Sequence, residues 1–167
     1  MSGEQESLVT AKDKLAHFEK LIDSYIVKKG IHKVEYNEEA LKILSMKRFE
    51  LKALTSMECG ELAFSLAQYA LYVQEQINEQ TARINWAKNN IKTIVAKNSG
   101  QFDRYTKYEE KEYFVITSDE HASKINDILS YAQAVSDRLS YIAGRIQSLG
   151  NVLIELQRSK RRADNVN

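Results

Sequence analysis

Apolar residues recur at three- and four-residue spacing near the end of the chain, and this spacing predicts a long amphipathic helix. Their mean period of about 3.5 residues is the heptad period of a coiled-coil seam. No proline interrupts the pattern, since the sequence contains none. We predict that this seam packs lengthwise against other helices and serves oligomerisation. Its ten residues are Ile125, Ile128, Ala132, Val135, Leu139, Ile142, Ile146, Leu149, Leu153 and Leu156.

Four helices are predicted in all. The first runs from about Ser7 to Lys29, with Gly30 at the C′ position, where the left-handed conformation favours glycine. The second begins after Asn37, a good N-cap residue, and ends near Leu54. The third opens with the capping-box pair Thr55 and Glu58 and continues to about Lys97. The last begins at Thr117 or Ser118, with Glu120 at capping-box spacing from Thr117, and runs to about residue 162.

Two connectors complete the prediction. Ile31 to Tyr36 alternates like a short strand. Asn98 to Ile116 links the two long helices, and a strand at Glu112 to Thr117 is one way for its aromatic residues to fold back. The fold class is therefore mainly α, an elongated helical hairpin or bundle with long coiled-coil helices. We divide it into an N-terminal helical region (1–54), an oligomerisation core formed by the long helical hairpin (55–162) and a flexible tail (163–167).

The apolar seams need partners. Burial of a seam residue stabilises the fold by about 1.5–3 kcal/mol, so an isolated helix that exposes all ten is unfavourable. The long helices can pair with each other or with helices of neighbouring subunits. Ser136, Ala143 and Gly150 are small and spaced by seven residues, which lets a second neighbour approach along that edge. This favours a homo-oligomer larger than a dimer, a ring being one such form, unless these small residues merely occupy a solvated face.

Composition narrows the function classes. With 43% apolar and 28% charged residues, the chain is typical of a folded domain. The single cysteine excludes an internal disulfide, the three histidines are too scattered to form a four-ligand N/S zinc site with it, and no glycine-rich phosphate loop is present. We expect no catalytic residues, metal or cofactor. The start lacks a signal core, and no stretch approaches the ~20 apolar residues of a membrane span, so we expect a cytoplasmic protein that does not contact membranes.

Charge is unevenly distributed along the chain. Residues 1–79 carry ten Lys and Arg against thirteen Asp and Glu, whereas residues 80–167 carry fourteen against ten. Between positions 83 and 107, six cations face a single acid, Asp103. A patch of one sign attracts polyanions even when the total charge is near zero.

The long connector interleaves aromatic residues with cations. Single-stranded nucleic acid is bound by this combination, because bases stack on aromatic rings while phosphates contact Lys and Arg. The alternative is that these aromatics pack against the hairpin core, and three glutamates at 109, 110 and 112 would repel phosphate. The candidate nucleic-acid-binding residues are Arg83, Lys88, Lys92, Lys97, Arg104, Tyr105 and Lys107.

Two pieces of sequence resemble a known family. One is Asp103 to Glu109, followed by Thr117 to Asp119 at the start of the final helix. The other is the preceding helix, with residues Tyr69, Tyr72, Ile84, Lys88 and Lys92. In order and length these pieces, over roughly residues 57–162, are similar to the UvsY-type recombination mediator proteins of tailed phages. About 50 further N-terminal residues and a gap in the spacing depart from that family's pattern.

The resemblance implies a ring-forming helical protein without catalytic activity. It implies binding to single-stranded DNA, with the basic segment at Lys88, Lys92 and Lys97 contributing and Arg104 following. It also implies partners, a recombinase and a single-strand-binding protein, in a phage-infected bacterial cell. Two other functions fit the helical build: a coiled-coil scaffold or adaptor that never meets nucleic acid, and a loader for a replicative helicase.

Overall fold

The computed structural model describes residues 10–30, 35–36 and 38–164. It confirms a mainly α fold: within these residues there is no strand, and the two long helices, α4 (Ser56–Lys97) and α6 (Glu120–Asp164), pack against each other. A 3₁₀ turn at Ser99–Gln101 follows α4. The helices are α1 (Ala11–Lys28), α2 (Glu38–Ser45), α3 (Arg48–Ala53), α4 (Ser56–Lys97), α5 (Tyr108–Ser118) and α6 (Glu120–Asp164).

Local signals account for both ends of α1 and for the start of α4. Thr10 and Asp13 form a capping box at the start of α1, while residues 7–9 of the predicted helix lie outside the described part. Gly30 has φ 65°, the left-handed C′ conformation predicted for it. At α4, the predicted capping box is also confirmed, because Glu58 N–H donates to Thr55 Oγ1 at 3.2 Å and Thr55 N–H donates to Glu58 Oε2 at 2.6 Å.

The predicted second helix is wrong in its continuity. It is interrupted at Met46 and Lys47, and Lys47 has an extended backbone (φ −81°, ψ 160°). Glu50 stabilises this break because its carboxylate accepts the Lys47 N–H at 2.5 Å, as in an N-terminal cap. The break separates α2 from α3, and both Ile43 and Leu51 pack in the same core.

The segment before α6 also differs from the prediction. The strand at Glu112 to Thr117, one of the forms considered for the connector, is absent, because these residues lie in α5. The cap of α6 is Asp119, whose Oδ1 accepts the N–H groups of His121 at 2.7 Å and Ala122 at 3.1 Å. The Thr117 hydroxyl instead donates to carbonyls at the end of α5. Of the strand expected at 31–36, only residues 35 and 36 are described, and they are not in a strand.

The chain forms two compact units that both contain parts of α4 and α6. The first unit comprises Met1–His32 and Gln80–Val135, and the second comprises Lys33–Glu79 and Ser136–Asn167. The buried core of the first unit contains Ala11, Ala87, Ile91, Val95, Val115, Ala122 and Ile125. That of the second contains Ala40, Ile43, Cys59, Leu66, Tyr69, Val73, Ile146 and Leu153. The N-terminal helices are thus shared out, α1 to the first unit and α2 with α3 to the second.

The heptad seam of α6 is used within the chain. In the first unit, Ile125 is fully buried and Ile128 packs beside it. In the second, Ile146 and Leu153 are fully buried, and four more seam residues pack against them, namely Leu139, Ile142, Leu149 and Leu156. Ala132 is buried and Val135 is half-buried. Their role between subunits stays a prediction, and an interface that preserves these contacts must use other side chains.

Candidate nucleic-acid interface

Lys88 and Lys92 lie one turn apart on an exposed strip of α4 in the first unit. The core-facing residues of this helix segment are Ala87, Ile91 and Val95, all buried. Four residues correspond to a rotation of about 40° around the helix, so the two ammonium groups are neighbours. Both lysines are exposed, and neither forms an ion pair within the described part of the chain. They are available to an anion from solvent.

The other two cations of α4 lie on a different side of the helix. Arg83 precedes Lys88 by five residues and Lys97 follows Lys92 by five, and each step is a rotation of about 140°. Around the helix, the core face of Ala87, Ile91 and Val95 lies between Arg83 and Lys88. The structure therefore brings Lys88 and Lys92 together but does not add Arg83 and Lys97 to the same strip.

Arg83 is engaged by other side chains of the first unit. Its Nε donates to Glu19 Oε1 of α1 at 2.5 Å, and its Nη1 donates to the side-chain oxygen of the buried Gln80 at 3.3 Å. The Arg83 and Glu19 side chains are 31% and 36% exposed, so the pair is partly shielded from water. Arg83 thus links α4 to α1, and its charge is already matched by a carboxylate.

A tight turn between α4 and α5 presents the next two candidates, Arg104 and Tyr105. Thr106 N–H donates to the Asp103 carbonyl at 3.1 Å, and Tyr105 N–H donates to Asp103 Oδ1 at 2.9 Å. This pattern, in which an aspartate bonds the backbone two residues on, places Arg104 and Tyr105 at the central positions of the turn. Tyr105 is 86% exposed and Arg104 is also exposed. A tyrosine ring this exposed contributes little to the core.

The remaining aromatics of the connector divide between packing and exposure. Phe102 packs in the core of the first unit and meets Phe114 edge-on, with ring centroids 5.4 Å apart at an interplanar angle of 89°. The ammonium of Lys111 lies 5.9 Å from the centre of the Phe102 ring. Burial raises the pKa of Tyr108, with a further contribution from Glu112 and then Glu109. Phe102 therefore packs against the core, as the packing alternative predicted, whereas Tyr105 does not pack there, and its contact with nucleic acid stays a prediction.

The acidic residues after the turn have a local role. Lys107 is exposed at the N-cap position of α5, and Glu109 and Glu110 occupy the first helical turn, where carboxylates interact favourably with the helix dipole. In the described part of the chain, no three His, Cys, Asp or Glu side chains are grouped so as to hold a metal ion. Cys59 lies buried in the second unit, and burial raises the pKa of its thiol. A raised pKa disfavours the reactive thiolate.

Sequence reasoning missed an exposed apolar stripe on α4 in the second unit. Met57, Phe64 and Leu71 are 72%, 65% and 61% exposed. They are spaced by seven residues, so they lie in a row along one side of the helix. We name these three residues the α4 stripe. The spacing is present in the sequence, but the core-facing residues of α4 have the same period, so the pattern alone does not distinguish the exposed row from the buried one.

An open groove of about 790 Å³ lies between α4 and α6 in the second unit. Ala63, Ala67 and Ala70 line one wall, and Ala143, Gly144 and Gly150 line the other. A methyl group added at either glycine would meet nothing within 4 Å. The small residues predicted to admit a neighbour along α6 thus include two groove residues, Ala143 and Gly150.

The described residues contain no helix long and apolar enough to span a membrane. In comparisons with known proteins, no protein family, no curated protein and no solved structure matches the chain.

Proposed function

We propose that this protein is an oligomeric single-stranded DNA-binding protein that acts as a recombination mediator. The observation that carries the DNA-binding part is the turn from Asp103 to Thr106. It holds an arginine and a tyrosine side by side with the tyrosine ring 86% exposed. An exposed ring beside a guanidinium is suited to a base and its phosphate, in a mode that tolerates any base sequence.

Lys88 and Lys92 support the same proposal. They belong to the same unit as the turn, they are exposed, and no described carboxylate neutralises them. Lys97 and Lys107 add two exposed cations at the ends of the segment that joins α4 to α5. A cation without an internal partner can bind a phosphate at no cost in broken contacts, whereas a paired cation must first give up the free energy of its ion pair. We therefore assign the principal contacts to Lys88, Lys92, Arg104, Tyr105 and Lys107. Lys97 is not among them because it lies on a different side of α4 from Lys88 and Lys92.

Self-assembly is the second part of the proposal, and the α4 stripe supports it. A row of exposed Met, Phe and Leu side chains is an unfavourable surface for a monomer in water. It is also a common interface between helices, since its seven-residue spacing is that of a coiled-coil seam. Several subunits on one strand would convert weak individual contacts into tight binding.

The mediator role itself comes from the resemblance to UvsY-type proteins. On that basis the protein would exchange partners on DNA, helping a recombinase replace a single-strand-binding protein, in the cytoplasm of a phage-infected bacterium. A helicase loader would share the same DNA contacts and differ in the protein it recognises. Pull-down of purified recombinase or helicase on oligomer-coated DNA separates these two roles.

A scaffold or adaptor without nucleic-acid contact is the second candidate function. The α4 stripe favours it as well, because an exposed apolar row can receive a helix of another protein. In that case Tyr105 and the lysines would be solvated surface. DNA binding is the property on which the two candidates disagree.

The deciding experiment is a titration of fluorescent oligothymidine of about 40 nucleotides with the purified protein, at low and moderate salt. Light-scattering mass is recorded in the same buffers. We expect binding that weakens with salt, with a log–log slope of about −0.7 for each phosphate contact, by a species larger than one chain. Absence of binding at low salt would leave the adaptor function.

A further inference from the structure

Three residues of α6 in the second unit form an exposed row that the fold does not explain. Arg138, Tyr141 and Arg145 are spaced by three and four residues, so they lie on one face of the helix. Tyr141 is 68% exposed and both arginines are exposed. We name these residues the Arg–Tyr–Arg face. It lies outside the candidate interface described above, which belongs to the first unit.

The arginines of this face have no partner within the described residues. Neither Arg138 nor Arg145 forms an ion pair or a side-chain hydrogen bond there. Cations near the end of the same helix behave differently: Arg158 Nη1 contacts Glu155 Oε1 at 2.7 Å, and Lys160 Nζ donates to the Lys52 carbonyl at 2.9 Å. Arg158 and Lys160 thus have partners within the fold, whereas the two arginines of the Arg–Tyr–Arg face do not.

The charge around this face has one sign along the helix. From Arg138 to Ile154 the sequence contains no aspartate or glutamate. Asp137 precedes this stretch but is rotated by about 100° from Arg138 around the helix. Glu155 follows it and is paired with Arg158. A strip of α6 more than four turns long therefore carries positive charge without acidic residues, a pattern that attracts polyanions.

The chemistry of the face suits a single-stranded nucleic acid better than an acidic protein. Two guanidinium groups bind phosphate oxygens in bidentate fashion, and a tyrosine between them offers its ring to a base. Arg138 and Arg145 are seven residues apart, about 10 Å along the helix axis. That distance corresponds to about three nucleotides of a stacked strand at ~3.4 Å each. Acidic side chains would use the arginines but leave the exposed ring without a role.

We propose that Arg138, Tyr141 and Arg145 form a second contact surface for single-stranded nucleic acid. The inference rests on the proposed function, since it adds a site to a DNA-binding protein. It extends that function, because residues of both units of the chain then bind nucleic acid.

The test compares three variants with the wild-type protein in oligothymidine titrations over a range of salt concentrations. Arg138→Gln with Arg145→Gln should flatten the log–log salt slope by about 1.4, which is 0.7 for each lost phosphate contact. Tyr141→Ala should weaken binding about five- to 160-fold, the range expected for loss of one stacked base, whereas Tyr141→Phe retains the ring and should bind like wild type. Circular dichroism checks that each variant is folded.

Matched controls separate failure of this inference from failure of the proposed function. Arg158→Gln with Arg161→Gln removes the same charge from the same helix and should leave the slope nearer to wild type. A wild-type protein that binds no oligothymidine overturns both proposals. If wild type binds and Lys88→Gln with Lys92→Gln weakens it, but the Arg138 and Arg145 variant keeps both affinity and slope, only the second surface is refuted. Equal competition by polyglutamate would show a face for acidic polypeptides and would overturn it too.

Discussion

Arg83 and Glu19 form the ion pair that connects α4 with α1, with 2.5 Å between Nε and Oε1. Arg83 was predicted from its charge to bind nucleic acid, and this pair suggests a different role for it. A guanidinium held by a carboxylate must lose that contact before it can hold a phosphate. We therefore expect Arg83 to contribute to the packing of α1 rather than to nucleic-acid binding.

The first prediction follows from this pair. Arg83→Gln should leave oligothymidine affinity close to wild type. It should lower the free energy of unfolding by about 0–1 kcal/mol, since the pair is only partly shielded from water. Glu19→Gln should have a similar effect on stability, because it breaks the same contact. A loss of DNA affinity in the Arg83 variant as large as that of Lys92→Gln would contradict this assignment.

The exposed lysines of α4 should behave in the opposite way. Lys88→Gln combined with Lys92→Gln removes two phosphate contacts, so the salt slope of oligothymidine binding should flatten by about 1.4. Thermal unfolding should be nearly unchanged because both side chains are exposed. Lys12→Gln with Lys20→Gln on α1 is the matched control, with the same loss of charge in the same unit. Equal effects of the two double variants would indicate a general charge effect.

Two adjacent residues of α6 test the core of the second unit. Leu153 is fully buried, so Leu153→Ala should lower the free energy of unfolding by about 2–5 kcal/mol. Its neighbour Val152 is 48% exposed, and Val152→Ala should lower the free energy of unfolding clearly less than Leu153→Ala does. Urea denaturation followed by circular dichroism measures both. A similar loss in the two variants would contradict the packing of α6 against α4 through its heptad seam.

The α4 stripe gives a prediction for assembly. Phe64→Gln with Leu71→Gln should reduce the light-scattering mass towards that of one chain while circular dichroism stays unchanged, because both side chains are exposed. Tyr113→Gln, at a 72% exposed residue of the first unit, is the control. If the double variant keeps the wild-type mass, subunits associate through another surface or do not associate at all.

The capping box of α4 predicts a pH dependence. Hydrogen bonds from the Thr55 backbone N–H and, next, from its hydroxyl lower the pKa of Glu58, and Lys160 adds a smaller effect. A carboxylate whose pKa is lower in the folded state stabilises that state above its unfolded pKa, and this contribution is lost as the pH falls through the folded pKa. The stability difference between wild type and Glu58→Gln should therefore be largest near neutral pH and shrink below about pH 4.3.

The control for this pH series is Glu61→Gln, at an exposed glutamate one turn further along α4. Thermal midpoints recorded from pH 7 to pH 3 compare the three proteins. A difference between wild type and the Glu58 variant that stays constant over this range would show that the carboxylate does not stabilise the helix start through its charge.

Local sequence determined the two long helices and several helix ends. The seven-residue period predicted the two long helices, and Thr55, Glu58 and Gly30 each lie where their side chains or backbone preferences place them. Such signals act between residues that are close in the chain, so no knowledge of the fold is needed to read them. Such signals did not identify the cap of α6, which is Asp119 and not Thr117. Thr117, Ser118 and Asp119 are consecutive, and each is a residue type that can cap a helix.

Contacts between distant residues were decided by the tertiary structure alone. Ile43 and Leu51 pack in one core on either side of the break at Lys47, and a helical period cannot indicate which apolar residues meet. Likewise, the sequence shows Arg83 as one more cation, while its pairing depends on where α1 docks. Periodicity states which face of a helix is apolar, whereas the choice of partner for each face is a property of the folded chain. That choice left the α6 seam in the cores and the α4 stripe at the surface.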